Sequence, residues 1–276
     1  MSPRSRAAGG PGGVPERRDV YERLADELRQ AIVSGQYRPG DRMPSTMELM
    51  AKTGVANLTV RGAYRVLIEE GLIEPVPKRG FYVRRLNPMT WRMNPGAGSR
   101  KATGELLDGW AADAEAAGLV PVQEVAVGIE DAAAVVAGRP AGERLGLAPG
   151  SRVLVRRAVR STARPGSDAP AVTDSLSDEY YPYDLVSDTA LASAAPASAF
   201  DVLAGIGQKL KRHHDELRPR VATVEERRLL DLPQVSVVLE LARTGYTAGG
   251  TPAVVIHQVR RCDGAVFGYD VSYPGR

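Results

Sequence analysis

Asn57, Thr59 and Arg61 bring a carboxamide, a hydroxyl and a guanidinium to the start of one short segment. These are the groups that hydrogen-bond the edges of bases in a DNA major groove. Their chemistry depends on how they are held. Within the segment 57–70, Val60, Ala63, Tyr64 and Leu67 recur at the i, i+3, i+4, i+7 spacing of one buried helical face. Thr59, Arg61, Gly62 and Arg65 are left off that face. A second helix is expected just before it, because Ser45 stands where an N-cap belongs and Glu48 follows three residues later to complete a capping box. That helix carries Leu49 and Met50 inward and stops at Thr53-Gly54, where glycine accepts the left-handed backbone of a tight turn packed by Val55.

Helix, glycine turn and helix of this length form a helix-turn-helix, whose second helix contacts bases with residues near its N-terminus. After Gly71 ends that helix, LIEPV and FYVRR read as the strands of a hairpin with Pro77-Lys78-Arg79-Gly80 at its tip. A cationic tip on a β-ribbon suits phosphates or a minor groove. A solvated surface turn accounts as well for any single basic residue here. The constellation as a whole is more specific than its parts.

The segment 21–83 resembles the winged helix-turn-helix of the GntR family of bacterial transcription regulators, on the stretches YERLADELRQAIVSGQYRPGDRMPS, ELMAKTGV, TVRGAYRVLIEEGLI and RGFYV. The resemblance implies that Thr59 and Arg61 contact DNA and that Gly80 and its basic neighbours meet the minor groove. The candidate DNA-contacting residues are Arg42, Ser45, Thr46, Asn57, Thr59, Arg61, Arg65, Lys78, Arg79 and Gly80. Two places depart from the family pattern. Thr46 replaces a customary acidic residue, and Ala56-Asn57 replaces a Ser-Arg pair. Arginine there reads guanine, whereas Asn57 suits adenine, so a different half-site is expected.

A chain of 276 residues is long enough for two domains, and charge is divided unevenly between them. Residues 1–85 hold 15 Lys and Arg against 10 Asp and Glu, leaving 21 against 23 for the remainder. The basic part is the part expected to release counterions from DNA. Cys262 is the single cysteine, which excludes an internal disulfide framework, and no Cys or His pair has zinc-ligand spacing. No metal and no cofactor are expected. The chain has no apolar run of about 18 residues and its N-terminus lacks the apolar core of a signal peptide, so no membrane partner is expected and a bacterial, cytoplasmic, nucleoid-associated protein is. Residues 1–18 read as a disordered basic arm, 19–85 as the DNA reader, 86–102 as a Pro-, Gly- and Asn-rich linker and 103–276 as a second domain. Trp91 and Met93 are unusual for a linker and could dock it onto a domain.

The second half reads as α+β, with helices at 103–117 and 199–213 and strands at 122–129, 152–160, 169–175, 235–247, 253–259 and 266–272. Short turns between sequential strands imply a mainly antiparallel sheet with helices packed on one side, and residues 236–244 a central strand. His213 and His214 then fall at the end of a charged helix, a solvated face. This half is similar to the UTRA domain of the HutC subfamily, which shares its fold with chorismate lyase, on ERLGLAPGSRVLVRRAVR, DEYYPYDLV, DELRPRVATVEERRLLDLP and SVVLELARTGYTAGGTPAVVIHQVRRCD. The resemblance implies an effector cleft in which strand arginines meet an anionic group and an acidic residue binds hydroxyls or amines. Residues for those parts are Arg157, Arg160, Asp178, Tyr180, Arg220, Glu240, Tyr246 and His257. Alternation puts Arg156 and Arg160 on one face of their strand and Arg157 on the other, and one register leaves Arg160 alone in the cleft. Ala158 and Val254 stand where the subfamily carries an arginine and a glutamate, which argues against a sugar-phosphate and for a less charged ligand.

The sequence therefore points to a homodimeric regulator, a repressor controlled by a small-molecule effector, on an inverted-repeat operator. A constitutive DNA-binding protein with a vestigial cleft is the alternative. A lyase-like enzyme fused to a reader is the third reading, against which stands the lack of a nucleophile–base pair, a metal site or a phosphate-cradling glycine loop in the sequence.

Overall fold

The computed structural model describes residues 15–86, 89–93, 109–166, 170–195 and 197–270, and the chain divides into two compact units, Met1–Arg85 and Leu86–Arg276. In the first unit three helices, α1 (Pro15–Val33), α2 (Thr46–Thr53) and α3 (Asn57–Glu69), precede a hairpin of β1 (Ile73–Val76) and β2 (Gly80–Val83). Helix α1 begins inside the segment read as an arm, and residues 1–14 of that segment lie outside the described residues. Its Leu24, Ala25 and Leu28 are buried with Val60, Ala63, Tyr64 and Leu67 of α3, so the 3.6-residue period of each helix meets that of the other in one core. Arg29 adds an ion pair from α1 to Glu70 at the end of α3, with Nη2 2.5 Å from Oε1.

The second unit opens with β3 (Met89–Arg92) and α4 (Gly109–Ala116). The sheet strands are β4 (Val120–Asp131), β7 (Arg152–Ala163), β8 (Val172–Pro182), β9 (Leu210–Val221), β10 (Val237–Thr247) and β11 (Pro252–Arg261). Smaller elements fall between them: β5 (Val135–Val136), β6 (Arg139–Pro140), α5 (Ala141–Leu145), α6 (Tyr183–Val186), α7 (Ala199–Gly205) and α8 (Val224–Leu229), with β12 (Ala265–Gly268) last. The sheet is six-stranded, ordered β4-β7-β8-β11-β10-β9, and antiparallel throughout.

Four sequence readings change. The linker is interrupted by β3, which pairs in parallel with β12 and buries Trp91 and Met93 against Trp110, Ala114 and Leu241 of the second unit. Aromatic and thioether bulk outweighed the local Pro and Gly content there. The helix expected over 199–213 stops at Gly205, and His213 and His214 lie within β9 instead. Gly207 takes a φ of 79°, which breaks the helix, and the charged run that follows suits an edge strand. The strand over 236–244 lies next to that edge rather than at the centre. Finally, helices cover both faces. On one, α4, α6 and α7 pack over Leu154, Tyr181 and Leu241, and on the other α5 and the chain flanking α8 pack over Val153, Val155, Val238 and Val259. The residues 103–108 expected to begin the first helix lie outside the described residues.

Candidate nucleic-acid interface and effector cleft

Ser45 adopts extended backbone, φ −65° and ψ 161°, and its Oγ accepts from the Glu48 amide at 3.2 Å while Glu48 Oε2 accepts from the Ser45 amide at 2.6 Å. The box fixes the start of α2, and Gly54 at φ 70° ends it with its amide on the Met50 carbonyl. Two tertiary contacts then set the recognition helix. The Tyr64 hydroxyl donates to the Pro44 carbonyl, and its ring lies 4.7 Å from that of Phe81 on β2. The tyrosine thus ties α3 to both the chain leading into α2 and the hairpin after it, and burial pushes its hydroxyl pKa up.

Asn57, Arg61 and Arg65 are exposed at successive four-residue steps along α3, while Thr59 is half-buried. Arg65 lies 3.8 Å from Glu69, an exposed pair that leaves it accessible. Ala56 caps α3 with no side-chain hydrogen bond, so the first amides of this helix keep their positive end uncompensated. In the hairpin Val76 pairs with Gly80, and Lys78 reaches a φ of 61° at the tip, with Lys78 and Arg79 exposed. Arg79 lies over the Tyr82 ring at 5.4 Å, and Arg42 forms a backbone bridge to the same Tyr82. Thr46 begins α2 and is half-buried, as is Ser45. Leu58 and Met47 were not singled out in the sequence, yet they are 72% and 77% exposed beside these polar groups. An apolar residue that packs against nothing at the head of a recognition helix is suited to a thymine methyl. Only its place off the apolar stripe could have flagged Leu58.

Direct cross-strand partners share a face of a sheet. Arg157, Asp178, His257, Ala242 and Glu216 form one such row, and Val159, Leu176, Val259, Glu240 and Arg218 the next. Tyr180 stands one row further along the same face, opposite Val155 and Val255, and Arg220 opposite Val238. Arg157, Asp178 and His257 line a cleft of about 580 Å³ closed at one side by Glu225, Glu226 and Leu229 of α8. Arg157 is held by Glu130 at 2.7 Å and Asp178 at 3.5 Å, and the Tyr180 hydroxyl donates to Asp178 at 3.4 Å. Burial pushes the Asp178 carboxyl up against the pull of Arg157 and His257, and it pushes the Tyr180 hydroxyl up to about 12.

Behind His257, its Nε2 lies 3.2 Å from Glu240 Oε1, an oxygen that also accepts from Arg220 at 3.1 Å. Burial raises the Glu240 carboxyl, but the hydrogen bonds from His257 and Arg220 bring it below its usual range. Arg220 is committed a second time, to both oxygens of Glu226 at 2.7 Å. Tyr246 stacks with Arg212 at 3.9 Å and does not line the cleft.

Arg160 is on the opposite face. It is buried between Glu179, 3.6 Å away, and the ring of Trp110, 5.4 Å away. Arg160 therefore does not line this cleft. Ala158 and Val254 share its face, where Val254 belongs to the apolar core with Leu154 and Tyr181. Among the described residues no group of three or more His, Cys, Asp or Glu side chains could hold a metal ion.

Three helices with a basic hairpin, joined in one chain to a six-stranded antiparallel sheet that bears a ligand-sized cleft, define a DNA reader with a regulatory domain. The chain belongs to the GntR family of bacterial regulatory proteins: residues 20–83 match the family's model and residues 123–265 match the UTRA domain, the pairing of the HutC subfamily. It is a transcription regulator of that family and not an enzyme. A full-length relative, the uncharacterized HTH-type transcriptional regulator SCO4628 of Streptomyces coelicolor, is 30% identical over 95% of this chain and 94% of its own. The HTH-type transcriptional repressor NagR of Bacillus subtilis is 24% identical over 90% of this chain and 93% of its own. The crystal structure of PhnF from Mycobacterium smegmatis covers 92% of this chain and all of its own at a TM-score of 0.54 and 21% identity, a likeness of fold.

Proposed function

We propose that the protein is a homodimeric repressor that binds an inverted-repeat operator and is controlled by a small molecule held in the cleft beside Arg157, Asp178 and His257. The observation that carries the reading is that cleft, about 580 Å³ and lined by charged groups from three adjacent strands, in the same chain as a helix-turn-helix. Such a volume suits a small ligand. A single reader of this size contacts few bases, and two readers related by a two-fold axis reach two half-sites about one helical turn apart. Arg42, Ser45, Thr46, Asn57, Thr59, Arg61 and Arg65 supply the major-groove and phosphate contacts, with Lys78, Arg79 and Gly80 at the minor groove. NagR is named a repressor, which supports the same sign of action here. Sedimentation of the protein on a promoter fragment tests the dimer: two chains per operator are expected, and one chain per saturated operator would overturn it.

A second reading, a constitutive regulator, is supported by the face of the sheet opposite that cleft, where Ala158 and Val254, the positions at which the resemblance implies a ligand-facing arginine and glutamate, are buried. Operator affinity indifferent to every metabolite would select it.

A further inference from the structure

The exposed residues of α3 are Asn57, Leu58, Arg61, Arg65 and Glu69, and among them only the leucine is apolar. Leu58 is 72% exposed, and the helical period sets it nearly opposite the buried stripe of Val60, Ala63, Tyr64 and Leu67. Arg61 and Arg65 follow on the same side, three and seven residues further on. The neighbouring flank is closed, because a Cβ at Gly62 would come within 3.1 Å of the Tyr21 ring of α1. The open strip is therefore narrow, and the leucine lies inside it with one carboxamide and two guanidiniums. A lone exposed leucine elsewhere on a surface has no special meaning. Here it stands where a helix-turn-helix meets base edges.

In the major groove adenine, guanine and cytosine present hydrogen-bond donors and acceptors, whereas thymine adds an apolar C5-methyl group. Leucine has no polar atom to answer a donor or an acceptor, so over a G·C pair it would displace water from groups that it cannot satisfy. Resting on the proposed seating of α3 in the major groove, we infer that Leu58 is a specificity-determining residue: it packs on the C5-methyl of one thymine in each half-site and excludes a G·C pair there. Asn57, beside it, suits adenine, so the two residues together direct the first turn of α3 to A·T pairs. Arg61 and Arg65 remain for guanine or phosphate.

The test removes the methyl group from the DNA. The full chain selects its preferred duplex from a randomised operator library, and each thymine of that duplex is then replaced singly by deoxyuridine, which lacks only the C5-methyl. Binding is read by fluorescence anisotropy. One thymine per half-site is expected at which uracil weakens the native chain about fourfold, the effect of burying one methyl-sized group. Leu58→Ala, an exposed position where alanine suits the helix, should bind the thymine and uracil duplexes equally and accept G·C at that position in the library. A uracil penalty absent at every thymine, or one that persists in Leu58→Ala, would overturn the inference. Loss of the penalty in Met47→Ala but not in Leu58→Ala would overturn it in favour of the exposed methionine of α2. Near-normal operator affinity of Arg61→Ala would remove the seating of α3 itself, whereas a loss of affinity in Arg61→Ala with no uracil penalty in the native chain removes Leu58 alone.

Discussion

Arg61 is exposed on α3 with no competing ion pair among the described residues, so its guanidinium is free for a base edge. Arg61→Ala should weaken operator binding about five- to 150-fold, since one bidentate base contact is worth about 1–3 kcal/mol. An anisotropy titration that returns near-normal affinity would remove Arg61 from the interface. Asn57→Arg should move the preferred half-site base from adenine toward guanine in a randomised operator library, and an unchanged ranking would show that position 57 reads no base. Asp174 carries a different prediction. Its carboxyl is buried with Oδ2 unpaired, and burial pushes its pKa up to about 7, against the pull of Thr162 and Arg261. A raised carboxyl pKa stabilises the fold below its unfolded value near 3.8, and that stability is lost as pH rises through about 7. The full effect is about 4 kcal/mol at most. Thermal unfolding should therefore fall across pH 4 to 7 more steeply in the native chain than in Asp174→Asn, and parallel curves would contradict the assignment.

Helix ends carry the next set of consequences. Helix α3 begins at Ala56 with no side-chain cap, whereas α2 begins with a complete capping box. Ala56→Ser should raise the stability of the first unit by about 1 kcal/mol, read as a shift in the denaturant midpoint. The opposite sign would show that extended Ala56 is already satisfied by other means. These ends also explain what the sequence discloses. Ser45, Glu48, Gly54 and the stripe through Leu67 are local signals, each decided by residues within one or two turns, and they appear in the fold as read. Trp91 and Met93 pointed to a linker that docks, but the strand β3 itself was not legible, because its partner, β12, lies more than 170 residues away. The edge strand β9 was hidden by its charges, which helix surfaces and sheet edges accept alike. Alternation told that Arg157 and Arg160 face opposite ways, but the face that holds the cleft depended on where α8 packs, a long-range fact.

At the scale of the whole molecule, a basic reader and a slightly acidic second half have separate tasks. The first supplies counterion release, and in the proposed function the second supplies a cleft whose occupancy is felt on DNA. Any such coupling is reciprocal: a ligand that weakens operator binding a given number of times is itself weakened by operator to the same extent. Removing the wing charges with Lys78→Ala and Arg79→Ala should lower the salt dependence of operator binding by about one unit of slope for each phosphate no longer neutralised, with little change in sequence preference. In the proposed function this reader is controlled through its second domain. The direct measurement is fluorescence anisotropy of the full-length protein on its own promoter DNA, with and without a panel of metabolites. Release of the operator by one compound, abolished in Asp178→Asn but kept in Arg160→Ala, is the predicted result. Tight binding that no compound disturbs would contradict it and leave a constitutive regulator.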